Sequence, residues 1–208
     1  FYYCTGLTTA PELPATTLKA DCYAGMFYYC TSLTTAPALP AETLADKCYE
    51  YMFVNCSSLT TAPELPATTL TVGCYCQMFY YCTSLTTAPE LPATELKDMC
   101  YQWMFCGCSN LTTAPALPAT TLAENCYEGM FYYCTKLNSV TCLAADISAT
   151  DCVKDWLNDT AASGTLTCAS GMKDKFSVPT GWTVEVAAPA GSRGKATATI
   201  NSVETDVK

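Results

Sequence analysis

Apolar positions recur along this chain with a period of 26 residues that never slips. Phe1, Phe27, Phe53, Phe79, Phe105 and Phe131 keep it, as do a leucine series from Leu7 to Leu137 and two cysteine series, Cys4 to Cys134 and Cys22 to Cys152. The unit reads MFYYCTSLTTAPELPATTLxxxCYxx. A unit that short cannot bury its own apolar side, so neighbours must stack into a continuous core. Within one unit, a wheel of 100° per residue started at Leu44 gathers Cys48, Tyr49, Met52, Phe53 and Cys56 on one half. Positions 46, 47, 50, 51 and 54 fall opposite, and there the units differ most from one another. This pattern predicts an amphipathic helix of about three turns over 45–55. Pro40 and the Ala-Glu-Thr after it precede the helix as a turn or extended segment, because proline fixes φ and lacks a donor. The β-prone run after Cys56, Ser-Ser-Leu-Thr-Thr-Ala, is halted by Pro63 and predicts one short strand.

One strand and one helix per 26 residues falls inside the length range of leucine-rich repeats, roughly 20 to 29 residues. The expected fold is therefore α/β: a solenoid of stacked units with six or seven parallel strands, each starting near the Leu7 to Leu137 series. Helices need more width than strands, so the sheet should line the concave face and the short helices the convex one. After Cys134 the consensus decays, yet Leu143 and Cys152 hold register and Trp156-Leu157 stands where Met-Phe would be. Val140-Thr141-Cys142 and Leu166-Thr167-Cys168 are also one period apart, so 164–168 should add a strand to the sheet. Two period-two runs, Gly181 to Val186 and Lys195 to Ile200, suggest a terminal hairpin or the beginning of a following domain. The chain thus divides into a solenoid over 1–157 and, over 158–208, a cap strand with a β-rich tail.

The composition narrows the function. Half of the residues are hydrophobic and 14% charged, which supports a packed core. The net charge is −9, and residues 1–157 hold all of that excess, with 14 Asp or Glu against 5 Lys, while 158–208 hold 5 of each sign. Nucleic acid is not an expected partner, since neutralising phosphates needs clustered Lys and Arg. No apolar run approaches the roughly 18 to 20 residues that span a bilayer, so direct membrane insertion of this segment is not expected. The sequence opens at Phe1 in mid-pattern, and any export signal is expected to have been removed or to lie outside it.

Sixteen cysteines would ordinarily suggest a disulfide framework. On the helical reading, Cys48 and Cys56 are about 12 Å apart along one helix, and equivalents on adjacent helices sit about 8 to 10 Å apart. A disulfide needs Cα atoms within about 7 Å, so buried thiols acting as small hydrophobes are expected. Only for Cys142 and Cys168 does the spacing leave both the thiol and the disulfide open, since neighbouring parallel strands would bring them to about 4.8 Å, and even there free thiols are the favoured expectation. No metal site is expected: the chain has no His, and Cys74-Tyr-Cys76 and Cys106-Gly-Cys108 lack knuckle spacing. Nor is an enzyme or a cofactor expected. No His stands beside a Cys or Ser nucleophile, and Glu12, Glu64 and Glu90 recur at one repeat position as a solvated edge would. The paired threonines, such as Thr34-Thr35 and Thr60-Thr61, form a regular array of the kind that binds ice. Adjacent strand residues point to opposite faces, however, so one column is expected to turn inward.

The run CTSLTTAPELPATTLxxxCYxxMF resembles the BspA-like leucine-rich repeats of surface proteins from gut and oral Bacteroidetes, over roughly residues 1–157. That resemblance implies a right-handed solenoid exported to the cell surface or secreted, adhesive or protein-binding in role. The expected function is a module that binds a protein or glycan partner through its repeat surface; the alternative is a structural spacer or surface-layer scaffold. Among the variable positions Glu50, Tyr51, Met99, Gln102 and Trp103 are the candidate binding residues, because interface centres are enriched in Trp, Tyr, Met and Arg. Tyr51, Met99 and Trp103 could flank a shallow groove over the small Gly73 and Cys76 of the intervening unit.

Overall fold

The computed structural model describes residues 1–188, so the expected strand at 195–200 lies outside the described residues. The 26-residue units stack as expected, with Phe27, Phe53, Phe79, Phe105 and Phe131 each fully buried in one continuous core. Successive Phe rings stack at 5.5–5.8 Å, and a second buried column, Tyr49, Tyr75, Tyr101 and Tyr127, stacks at 5.8–6.1 Å.

That rung spacing excludes the helices. Packed helices lie about 8–10 Å apart, and among the described residues none is present. The segment expected to be helical is instead a ladder of tight turns. Every second backbone N–H closes a turn within its own unit, as Cys48 does to Ala45, Glu50 to Lys47 and Met52 to Tyr49 at 3.1–3.2 Å. The N–H groups between them cross to the next unit: Tyr49 donates to Cys74, Tyr51 to Cys76, Phe53 to Met78 and Asn55 to Tyr80 at 2.8–3.1 Å. The units are therefore joined as strands of a sheet are, through the backbone. The geometric reason for a concave sheet disappears with the helices, because both flanks of the unit now repeat at β-like spacing.

The strands also fall short of expectation. Among the described residues three are formed, β1 (Ser139–Cys142), β2 (Gly164–Cys168) and β3 (Trp182–Val186), all parallel in the order β1-β2-β3. In the earlier units the Thr-Thr-Ala-Pro runs make single parallel bridges, Thr9 with Thr35 and Thr61 with Thr87, and a second bridge further on, as between Thr17 and Thr43. The cause is proline. Pro37 and Pro40, with their equivalents one period away, remove two donors and fix two φ angles in each run. The unit beginning at Leu137 carries Ser139-Val140-Thr141-Cys142 where Thr113-Ala114-Pro115-Ala116 stood, and there a ladder forms. The strand expected at 164–168 is β2, with Cys142 and Cys168 as register partners. The run expected to enter a hairpin at Gly181–Val186 contains β3, which pairs in parallel with β2.

Without regular strands, neighbouring threonines need not face opposite ways. Thr34 and Thr35 are both exposed, as are Thr60-Thr61, Thr86-Thr87 and Thr112-Thr113, so the expected inward column is absent.

All sixteen cysteines are free thiols and fourteen are buried, Cys142 and Cys168 among them. The distance argument from helix packing does not apply at this spacing, and a different one replaces it. In one column the Sγ atoms of Cys56, Cys82, Cys108 and Cys134 each donate to the carbonyl of Phe27, Phe53, Phe79 and Phe105, at 3.1–3.2 Å. Each carbonyl already accepts the N–H three residues on within its own unit, so the thiol adds a rung-to-rung hydrogen bond. Each thiol of this column is thus engaged as a donor to a backbone carbonyl of the unit before it.

Candidate functional site

The turn ladder sets which residues can present a large side chain. Along it, φ is positive at every fourth residue: Lys47, Tyr51 and Asn55 in one unit, Gly73, Gln77 and Tyr81 in the next, Met99, Trp103 and Gly107 in the third. The left-handed region favours Gly and Asn, and a bulky residue held there costs on the order of 1–3 kcal/mol. Six aromatic residues occupy it, namely Tyr3, Tyr29, Tyr51, Tyr81, Trp103 and Tyr133.

Much of the variation on this face reflects how neighbouring units fit together. A Cβ on Gly129 would sit 2.3 Å from the Trp103 ring, and one on Gly107 would sit 2.8 Å from the Tyr81 ring. The large side chain of one unit lies over the glycine of the next. Gly25, Gly73, Cys76 and Gly129, all expected at exposed positions, are buried accordingly, with the Lys47 stem against Gly73. Gly129→Ala should therefore lower stability by about 1–3 kcal/mol through overpacking and backbone strain. The check is a thermal double-mutant cycle with Trp103→Ala. If the two losses simply added, the seating of Trp103 on Gly129 would be refuted.

The residue pair after each Phe reads Tyr2-Tyr3, Tyr28-Tyr29, Val54-Asn55, Tyr80-Tyr81, Cys106-Gly107 and Tyr132-Tyr133 in successive units. Rings stack where tyrosines follow one another, Tyr2 on Tyr28 at 4.7 Å and Tyr3 on Tyr29 at 4.8 Å. Two units interrupt the column. At Cys106-Gly107 the gap is filled, because Tyr81 folds over Gly107 and Tyr132 packs edge-on against Trp103 at 5.6 Å. At Val54-Asn55 the valine is itself buried, and the missing ring at Asn55 leaves a groove of about 630 Å³ walled by Tyr2, Tyr28, Tyr29, Tyr51 and Tyr80. Ala24, Gly25, Glu50, Val54, Asn55 and Gln77 complete the lining, and Glu50 carries the one charge among these eleven residues.

Burial raises the Tyr51 phenol first, and the neighbouring Glu50 carboxylate adds to it. Tyr80 is pushed up to about 12, chiefly by burial. Tyr28 is raised by burial and by the tyrosines around it. Tyr28, Tyr51 and Tyr80 are thereby held as neutral phenols, and all the tyrosine walls are apolar in body and hydrogen-bonding at the tip.

Of the candidate residues, Glu50 and Tyr51 line this groove. Gln102, Trp103 and Met99 stand two units further along the same face. Gln102 is held in a side-chain ladder: it accepts from the Cys76 thiol at 3.6 Å and donates to Glu128 at 2.6 Å, and Glu128 in turn lies 3.8 Å from Lys154. Trp103 is half-buried between Gly129 and Tyr132, and Met99 is partly exposed. Tyr28, Tyr29, Tyr80, Asn55 and Gln77 did not stand out in the sequence, although the substitution of Val-Asn for Tyr-Tyr in one unit was the signal that marks them. Among the described residues no group of His, Cys, Asp and Glu is arranged to hold a metal ion, and no helix is long and apolar enough to cross a membrane.

Compared with known families, residues 46–150 match the BspA type leucine rich repeat region, in six copies. The chain belongs to the BspA-type leucine-rich-repeat family. No curated protein and no solved structure matches it. Leucine-rich repeats of this kind are in general binding scaffolds for other proteins, and the stacked units account for that use, since they present an extended surface on a rigid core.

Proposed function

We propose that this BspA-type repeat chain is a protein-binding module displayed at the cell surface or secreted, which docks its partner on the turn face at the tyrosine groove. The observation that carries the proposal is the interruption of the tyrosine column left open at Asn55, beside the groove. Tyrosine offers large, rigid contact area at little entropic cost together with a hydroxyl that bonds, which is why it is enriched at the centres of interfaces. Glu50 and Tyr51 act at this groove, while Met99, Gln102 and Trp103 extend the same face and would contact a partner longer than the groove. A glycan is a second ligand class compatible with phenol walls and the amides of Asn55 and Gln77. The spacer reading is favoured by one observation, the seating of Trp103 and Tyr81 on the glycines of adjacent units, which accounts for part of the sequence variation without a ligand.

The test uses Tyr51→Asn, because asparagine accepts the left-handed backbone that Tyr51 occupies at φ 58° while removing the ring. Stability should change by less than about 1 kcal/mol, as for other partly exposed positions. Immobilised wild-type protein should retain a partner from mucosal or bacterial extracts that Tyr51→Asn and Tyr28→Ala release. Equal retention by all three proteins would eliminate the groove as the docking site.

A further inference from the structure

We propose that the groove receives an arginine side chain of the protein partner, stacked on the tyrosine walls and paired with Glu50. This rests on the reading of the groove as a protein-docking site and names the chemistry it selects.

Charge supports it at two scales. Residues 1–157 carry 14 acidic residues against 5 lysines, so the solenoid attracts a cationic segment before contact. Within the groove, Glu50 is the one charged lining residue, and its side chain is 13% exposed. A partly buried carboxylate among neutral phenols favours a cation over a neutral or anionic group. The counter-charge present, Lys47 Nζ, lies 3.7 Å from Glu50 Oε2 and is itself 47% exposed, a charge contact too long for a hydrogen bond. The Tyr51 phenol also lies against this carboxylate, and the lone pairs that remain keep acceptor capacity for a further donor.

The walls supply the other half of the recognition. Tyr29 is stacked on one side by Tyr3, and one period on from it stands the smaller Asn55, half-buried and also lining the groove. Among the described residues no ring stacks there. A ring face left open beside a carboxylate suits guanidinium better than ammonium, because guanidinium is planar, weakly hydrated and able both to stack and to bond a carboxylate through two N–H groups.

Isothermal titration with three blocked pentapeptides tests this, each of the form Gly-X-Gly-X-Gly with X as Arg, Lys or Gln, alongside a neutral oligosaccharide. The arginine peptide should bind at least three-fold more tightly than the lysine peptide and at least ten-fold more tightly than the glutamine peptide, and should weaken as salt is raised. Glu50→Gln should weaken the arginine peptide by about ten-fold. Lys47→Met, which keeps the stem over Gly73 and removes the competing charge, should tighten it by two- to five-fold. Circular dichroism melts establish that each variant is folded. Equal affinity of the arginine and glutamine peptides, with both lost in Tyr51→Asn, would overturn the arginine assignment and leave the groove as a protein-docking site. Arginine binding unaffected by Glu50→Gln and Lys47→Met would likewise overturn it. Binding of the oligosaccharide alone, or of none of the four ligands, would overturn both the arginine assignment and the protein-docking reading.

Discussion

Raising the pH from 8 to 10.5 should unfold this protein cooperatively at room temperature. Burial pushes the thiols of Cys48 and Cys142 up to about 11 and those of Cys56, Cys74, Cys76, Cys106 and Cys126 up to about 12, from an ordinary value of 9. The folded state holds these protons more tightly than the unfolded chain does. Their stabilisation is fully present below pH 9 and is lost as pH rises toward 11 or 12. Each such thiol removes roughly 1 kcal/mol of stability per pH unit above 9, so at pH 10 seven of them together remove on the order of 10 kcal/mol. That is comparable with the whole stability of an ordinary domain, about 5–15 kcal/mol. The phenols of Tyr75, Tyr101 and Tyr127, raised well above 10 by burial, add to the loss above pH 10. The measurement is a melting temperature followed by circular dichroism in reducing buffer. A melting temperature that stays constant between pH 8 and 10.5 would mean that the thiols do not lie in the core.

Phe79→Ala should cost about 3–5 kcal/mol, the range for truncating a buried aromatic residue. Phe79 is fully buried and stacks on Phe53 and Phe105 at 5.6 Å on either side, so its removal opens the column at its middle. In a stacked array each unit depends on its neighbours. Hydrogen exchange should therefore accelerate first in the units holding Phe53 and Phe105, and more weakly beyond. Phe79→Leu, which refills most of the space, should recover over half of the loss. Unchanged melting of the alanine variant would remove the Phe column from the core.

The thiol column has a chemical role that hydrophobicity alone does not explain. Each Sγ of the Cys56 to Cys134 series bonds a Phe carbonyl of the unit before it, and the site has room for a small side chain with one weak donor. Thiols with raised pKa values are poor nucleophiles, which agrees with a structural use.

The sequence by itself determined the stacked solenoid, its period, and which side chains enter the core. Cys48, Tyr49, Met52, Phe53 and Cys56 are buried as the wheel placed them. It did not determine the backbone beneath them. An α-helix turns 100° per residue and a ladder of turns repeating every four residues turns 90°; over the eight residues from Cys48 to Cys56 both patterns keep 48, 52 and 56 on one face. The two differ in where N–H groups go, to the same unit or to the next, and that is settled only when units meet at about 5.5 Å. The prolines that reduce the strands to bridges were visible in the sequence, and their effect followed from missing donors once the pairing partners were known. The groove lay further out of reach. Tyr28, Tyr29 and Tyr80 read as ordinary consensus positions, and Val54-Asn55 read as drift. Whether an interruption in a ring column stays open depends on what the adjacent unit folds into it, which occurs at Gly107 and not at Asn55. That outcome is a property of three neighbouring units packed together, because the space left by a missing ring is set by the side chains on both sides of it.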